Sequence, residues 1–280
     1  MSSNTDHQSL ISRPYAERQF VVVMPDEIVE AQRQPQEGKA DKSFDWSGLA
    51  MSAVGLYKGG VIGLGISAAT EAYAAWQRAR ANGIDALQIK MSEAQQLCFP
   101  PAHPRVGVLY VAHPGEPNVY YTVASFHRVA FEHKFAEAVD LLMSLGATKI
   151  TVEHVSGWDS KFASTLSVSL PSGPGSASVG SNSGSQSTLL FEASLPDNKS
   201  RFLPPNLVWY PHEQTWKSIA NGRLIHGLNE FSLTVNYQDD FGVNAGLKVN
   251  ATKAGLDLGG NFENHVATSW KLFGTFAPAE

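Results

Sequence analysis

The stretch FSLTVNYQDDFGVNAGLKVNAT, residues 231–252, contains two runs in which apolar and polar residues alternate. A period of two places alternate side chains on opposite faces of a β-strand. Two more alternating runs follow at 256–263 and 266–276, and turn segments such as Asp239-Asp240 and Lys253-Ala254-Gly255 separate the runs. These four consecutive runs predict an antiparallel β-meander with one dry face.

Two further alternating runs lie upstream, on either side of a segment rich in glycine and serine. The first is Lys161–Leu170 and the second is Ser187–Leu195. The intervening segment PSGPGSASVGSNSGS, residues 171–185, has almost nothing to bury, which is typical of a flexible connector. The pattern predicts a long hairpin with a flexible tip at 171–185.

Helices and shorter strands complete the predicted fold. Strands are expected at 19–24, 86–90, 106–111 and 149–155, and helices at 66–81, 124–145 and 212–225. The predicted fold class is α+β, an antiparallel β-meander of four C-terminal strands plus a long hairpin, with packed helices and an N-terminal glycine-zipper helical segment. The predicted domains are an arm with one short strand and a linker (1–45), the glycine-rich helical segment (46–83) and an α+β domain (84–280).

The glycine-rich segment is WSGLAMSAVGLYKGGVIGLGISAATEAYAAW, residues 46–76. Small residues recur in it at every fourth position, in two registers, and are candidates for helix packing and oligomerisation: Gly48, Ser52, Gly55, Gly59, Gly63 and Ser67. This spacing lets a second helix approach the backbone closely. One interpretation is a weakly hydrophobic membrane span with Lys58 near its centre; the other is a helical hairpin buried in a soluble core.

Composition narrows the class of protein. The 280 residues carry a formal net charge of -5 and no run of Lys or Arg, which argues against a nucleic-acid binder. One cysteine, Cys98, excludes an internal disulfide and suits a reducing compartment. The N-terminus lacks the basic start and apolar run of a secretory signal. We expect a cytoplasmic protein that becomes membrane-associated after activation.

Catalytic and metal-binding patterns are weak. His127 and His133 are six residues apart on a predicted helix, roughly 120° off a common face. His212-Glu213 resembles the start of a zinc-protease motif, but Trp216 stands where the second histidine is required. Cys98 is interpreted as a small core residue. We therefore predict a protein without enzymatic activity, cofactor or metal.

Two other groups of residues have structural interpretations. Glu132, Lys134 and Glu137 are expected to form the solvated face of the long helix. The aromatic residues near Pro211 are either a ligand platform or a core corner between helix and sheet: Trp209, Tyr210 and Trp216.

The polar faces of the predicted strands are dominated by Ser, Thr, Asn and Gly, which is typical of a β-barrel wall. Transmembrane strands alternate apolar and polar residues over about 9 to 11 positions, a length that the runs 161–170, 187–195 and 243–252 meet. The candidate membrane-facing residues are Phe162, Leu166, Val168, Leu170, Leu189, Phe191, Leu195, Val243, Leu247 and Val249.

In pattern, the chain resembles soluble proteins that oligomerise and convert hairpins into a membrane pore, as gasdermins and perforin-like proteins do. It contains no motif of either family, so no residue role is carried over. The leading hypothesis is a membrane effector that acts as a homo-oligomer on a lipid bilayer, in a toxic or defensive role. The rival is a soluble self-assembling or ligand-binding α+β protein, and an ordinary sheet packed on helices would explain the strands equally.

Overall fold

The computed structural model describes residues 10–33, 62–164, 188–196 and 201–278. The chain divides into two compact units, one from Met1–Phe126 and Phe241–Glu263, the other from His127–Asp240 and Asn264–Glu280. Each unit contains a four-stranded, mostly antiparallel sheet together with helices, which confirms the predicted α+β class. The division into 1–45, 46–83 and 84–280 stays a prediction.

Eight α-helices lie within the described residues. They are α1 (Tyr15–Arg18), α2 (Asp26–Arg33), α3 (Ile62–Ala81), α4 (Met91–Ala94), α5 (Phe126–Ser144), α6 (Ser160–Ala163), α7 (Gln214–His226) and α8 (Ala245–Ala254). Short 3-10 turns occur at Leu10–Ser12 and Tyr210–His212. Gly83 takes a left-handed φ of 84° just after α3, as the Asn82-Gly83 stop signal predicts.

The sheet of the first unit has the strand order β2-β1-β3-β4. Its strands are β1 (Phe20–Met24), β2 (Ala86–Lys90), β3 (Leu109–Ala112) and β4 (Tyr120–Thr122). β1 runs parallel to β2 and antiparallel to β3, and β3 pairs antiparallel with β4. Val21, Val22 and Val23 are completely buried because β1 is an inner strand with both faces covered, which explains its continuous apolar run.

The sheet of the second unit has the order β6-β5-β8-β7 and is antiparallel throughout. Its strands are β5 (Ala147–Ser156), β6 (Thr188–Ser194), β7 (Glu230–Tyr237) and β8 (Thr268–Phe276). Rings from α5 and the sheet build the core, with Phe131 lying 4.8 Å from Trp270 between ring centroids. Trp216 and Ile219 of α7 are buried and also belong to the core.

The predicted four-stranded meander is wrong in its middle. Only its first and last runs are strands, β7 and β8; residues 243–252 belong largely to α8, and 256–263 contains no strand. Local caps decide the outcome, because the Asn244 side chain accepts hydrogen bonds from the N–H groups of Gly246 and Leu247 at 2.9 and 3.1 Å. Gly255 ends the helix with a left-handed φ of 85°.

The first arm of the predicted hairpin is also corrected at its start. Residues 160–163 form α6 rather than a strand, because Asp159 caps the turn by accepting hydrogen bonds from Lys161 and Phe162 N–H groups. The second arm is a strand, β6, but its partner among the described residues is β5. Ser164 is the C-cap of α6, and residues 165–170 of the first arm and the predicted tip at 171–185 lie outside the described residues.

His103 and Tyr110 form hydrogen bonds that stabilise the loop before β3. The main-chain N–H of Arg105 donates to the Tyr110 hydroxyl at 2.7 Å, and that hydroxyl lies 2.7 Å from His103 Nδ1. Burial raises the pKa of Tyr110, so the phenol keeps its proton. Burial first, and the Arg105 charge second, lower the pKa of His103, whereas Asp257 opposes the shift.

We expect the first unit to lose stability as the pH falls below about 6.5, the ordinary pKa of histidine. The folded state holds His103 neutral, so the unfolded state binds the proton more readily. The stabilising contribution of neutral His103 is therefore fully present above about pH 6.5 and is lost as the pH falls toward the lower, folded-state pKa. Urea denaturation at about pH 7.5 and about pH 5.5 measures the change. His103→Gln should reduce the pH dependence of stability, and His226→Gln, at an exposed position, should leave it intact. If both variants keep the same pH dependence, His103 is not its source.

Candidate functional site

The segments predicted to contact lipid are the candidate functional parts, and the small-residue set falls partly within the structure. Gly63 and Ser67 lie in α3, and Gly48, Ser52, Gly55 and Gly59 lie outside the described residues. The close helix packing therefore stays a prediction. Within the described ranges, no helix is both long and apolar enough to cross a membrane.

Helix α8 holds a sequence that alternates as a strand does. Positions two apart on a helix are rotated by about 200°, so an alternating apolar set is spread around the helix instead of forming one stripe. Val243, just before α8, is completely buried, Leu247 is half-buried, and Val249 is 46% exposed. The helix therefore leaves exposed an apolar side chain that a strand would place beside the others.

Tertiary contacts and a capping side chain hold α8 in place. Gly, Val, Asn and Thr are weak helix formers and together supply four of its positions, 246, 249, 250 and 252. Arg78 of α3 donates from Nε to the Ala254 carbonyl at 2.9 Å, next to the end of the helix. Asn250 Nδ2 lies 3.4 Å from the Asn82 carbonyl, and Ala251 and Ala254 are completely buried. Tertiary contacts and the Asn244 cap, rather than intrinsic propensity, therefore stabilise this helix.

Phe162, another candidate membrane-facing residue, packs within the second unit. Its ring stacks on Trp158 with centroids 4.3 Å apart, and it lies 6.1 Å from the ring of Phe131. Any insertion of this segment into lipid would have to separate Phe162 from these rings. Leu166, Val168 and Leu170 lie outside the described residues.

A β-bulge changes the faces of β6. Val152 of β5 pairs with Phe191 and Glu153 pairs with Leu189, so Leu190 is an extra residue on β6. Leu190 and Ala193 are buried, whereas Leu189 and Phe191 are half-buried, and Leu195 just beyond the strand is also half-buried. Phe191 pairs with Val152 and keeps the alternation with Ala193, but beyond the bulge Leu189 pairs with Glu153 and is out of phase with them, and an alternation rule contains no signal for an inserted residue.

The solvated face predicted for α5 is wrong at two positions. Glu137 is 8% exposed, and its carboxylate accepts hydrogen bonds from the N–H groups of Val208, Trp209 and Tyr210 at 2.7 to 2.8 Å. Lys134 is similarly buried; it donates to the Asn236 carbonyl at 2.7 Å and pairs with Glu213. These charges fix the loop before α7.

The aromatic residues near Pro211 form the core corner rather than an open platform, since Trp209 and Trp216 are buried. The two histidines of α5 have separate neighbours. His127 Nδ1 lies 3.0 Å from the Tyr237 hydroxyl, and His133 Nδ1 accepts from Trp209 Nε1 at 3.2 Å. Sequence spacing gave no indication of either partner.

Comparison with known proteins returned no match among family models, curated proteins or solved structures.

Proposed function

We propose that this protein is a non-enzymatic membrane effector that oligomerises and perforates or remodels a bilayer. The observation that carries the proposal is the conflict at 243–252, where a strand-like alternation is folded as a helix that leaves Val249 46% exposed. Local conflict between sequence pattern and fold is unusual in a protein with one stable structure. It is expected where a segment has a second conformation.

In the proposed membrane state, residues 243–252 form a strand. Val243, Ala245, Leu247, Val249 and Ala251 then share one face, and the opposite face carries Asn244, Gly246, Lys248, Asn250 and Thr252. The first face meets lipid and the second lines a lumen, as in transmembrane barrels. A closed oligomeric barrel also satisfies every main-chain hydrogen bond within lipid, which a single inserted strand does not.

Other parts of the sequence support the same proposal. The runs 161–170 and 187–195 have the same alternation, and the uncharged segment 171–185 between them crosses a bilayer at low electrostatic cost. The small-residue spacing at 48–67 suits contact between copies of the chain. Toxicity or defence is the natural use of such an activity.

Dye-loaded liposomes of bacterial lipids test the proposal, with Val249→Lys as the decisive variant. Val249 is exposed on α8, so lysine should leave the soluble fold intact. In the inserted strand the same lysine faces lipid, at a cost of about 2–4 kcal/mol per chain near the bilayer centre. We expect micromolar wild-type protein to release dye and Val249→Lys to release it at least about tenfold more slowly.

Thr252→Lys is the matched control, because it adds the same charge at an exposed position of α8 that faces the lumen in the proposed strand. Its release should equal that of the wild type, and circular dichroism should be the same for all three proteins. Sealed liposomes with wild-type protein, or equal release by the two lysine variants, would contradict the proposal. The soluble rival predicts sealed liposomes throughout.

A further inference from the structure

A cavity of about 440 Å³ lies in the first unit beside β2, which is the first strand in the order of its sheet within the described residues. Residues before and within α1, one residue of α2, two of α3, and the chain from Asp85 into β2 line it. We propose that this cavity binds a small zwitterion, a molecule with one oxyanion and one ammonium group a few bonds apart.

Charges of both signs line the cavity without neutralising one another. Arg13 and Arg80 contribute guanidinium groups, and Glu17 and Asp85 contribute carboxylates. Among the described residues, none of these four side chains takes part in an ion pair or a side-chain hydrogen bond, and Arg80 instead lies over the ring of Trp76. A ligand with one charge of each sign would pair with both sets at once.

A neutral polar group adds a second, independent indication. Gln88 of β2 lines the cavity, and its Nε2 is buried without a hydrogen-bond partner in the described structure. A buried amide donor left unpaired costs about 1–3 kcal/mol, so such groups usually have a partner. Because Nε2 is buried in the free protein, we expect the amide to rotate toward the cavity when an oxyanion binds and to donate this hydrogen bond to it.

The wall of the cavity also includes apolar surface that is held in position. Trp76 donates from Nε1 to the Ala86 carbonyl at 2.7 Å and stacks on Tyr73, so its indole is fixed. Val29 and Leu87 lie beside it in the lining. The volume is within the usual range for small-molecule sites. A zwitterion with a short apolar group fits this lining, and the sources of that chemistry are an apolar α-amino acid or a phosphoethanolamine group.

Isothermal titration calorimetry on the full chain, without lipid, tests the inference with L-leucine and O-phosphoethanolamine as probes. We expect at least one probe to bind, and the stronger of the two identifies the source. Compounds with a single charge, isovalerate and isopentylamine, should bind at least about tenfold more weakly, because each leaves one set of charges unpaired. Absence of binding by both zwitterions, or equal binding by the singly charged compounds, would overturn the inference.

Substitutions inside and outside the lining test whether the zwitterion binds in this cavity. Arg13→Gln and Gln88→Ala should each weaken binding of the zwitterion about tenfold, since each removes a donor to the oxyanion. Glu71→Gln and Gln96→Ala change exposed residues that are not part of the lining and should leave affinity unchanged. If all four variants bind as the wild type does, the ligand is elsewhere and the inference is wrong. Dye release is not measured here, so this result is independent of the proposed membrane activity.

Discussion

Replacing Glu137 with alanine is expected to lower the free energy of unfolding of the second unit by about 3–5 kcal/mol, because three N–H donors lose their acceptor and each unsatisfied buried donor costs about 1–3 kcal/mol. Three main-chain N–H groups, at Val208, Trp209 and Tyr210, depend on this one carboxylate. In the variant these three N–H donors would remain in a buried region without the carboxylate that accepts their hydrogen bonds. The neighbouring loop and the start of α7 would lose their fixed position.

Asp140→Ala is the control for this prediction. Asp140 is an exposed carboxylate three residues further along α5, so its removal should change stability by less than about 0.5 kcal/mol. Chemical denaturation of both variants, followed by tryptophan fluorescence, measures the difference. Equal midpoints for Glu137→Ala and Asp140→Ala would mean that the carboxylate does not stabilise the loop.

Replacing Arg223 with methionine is expected to lower the free energy of unfolding of the second unit by about 3–5 kcal/mol, because three carbonyl acceptors lose their donor and each unsatisfied buried group costs about 1–3 kcal/mol. The side chain is 1% exposed and donates to the carbonyls of Leu145, Leu228 and Ala277 at 3.1, 2.9 and 2.6 Å. Its guanidinium also lies 4.8 Å from the ring centroid of Phe276. Methionine fills much of the same space but leaves three acceptors without this donor, so the loss is mainly polar.

Arg223→Lys separates charge from geometry. Lysine keeps the positive charge but lacks the planar guanidinium that reaches three carbonyls. The stability of the Arg223→Lys variant should therefore lie between that of the wild type and that of Arg223→Met. Lys217→Met is the control on the same helix, because within the described residues the Lys217 side chain makes one exposed hydrogen bond, to the Pro211 carbonyl. Thermal unfolding of the three variants ranks them, and a Met variant as stable as the wild type would contradict the prediction.

The elements that could be predicted have strong local signals. β1 is a continuous apolar run, and α5 follows a helical stripe through Phe131, Phe135 and Leu142 that ends at Gly146. The strand and the helix could be inferred because each depends on hydrophobic periodicity and on a terminating residue within one window of sequence. The membrane interpretation depends on similar periodicity, but no contact among the described residues tests it.

The errors arise where a side chain acts at a distance or a cap overrides periodicity. The alternation at 243–252 is real, yet Asn244, Gly255 and the hydrogen bond from Arg78 favour a helix there. Glu137 is spaced as a surface residue and is buried only because a segment 71 residues later covers it. The cavity beside β2 is assembled from separate parts of the chain, so no single window of sequence reveals it.

The amino-acid sequence by itself determined the fold class, the strand β1 and the long helix α5, because hydrophobic period and turn residues act locally. Only the tertiary structure decided the conformation of 243–252, the burial of Lys134 and Glu137, and the grouping of charges around Gln88. The physical reason is that helix and strand differ by little free energy in an ambiguous segment, so contacts from distant residues select between them.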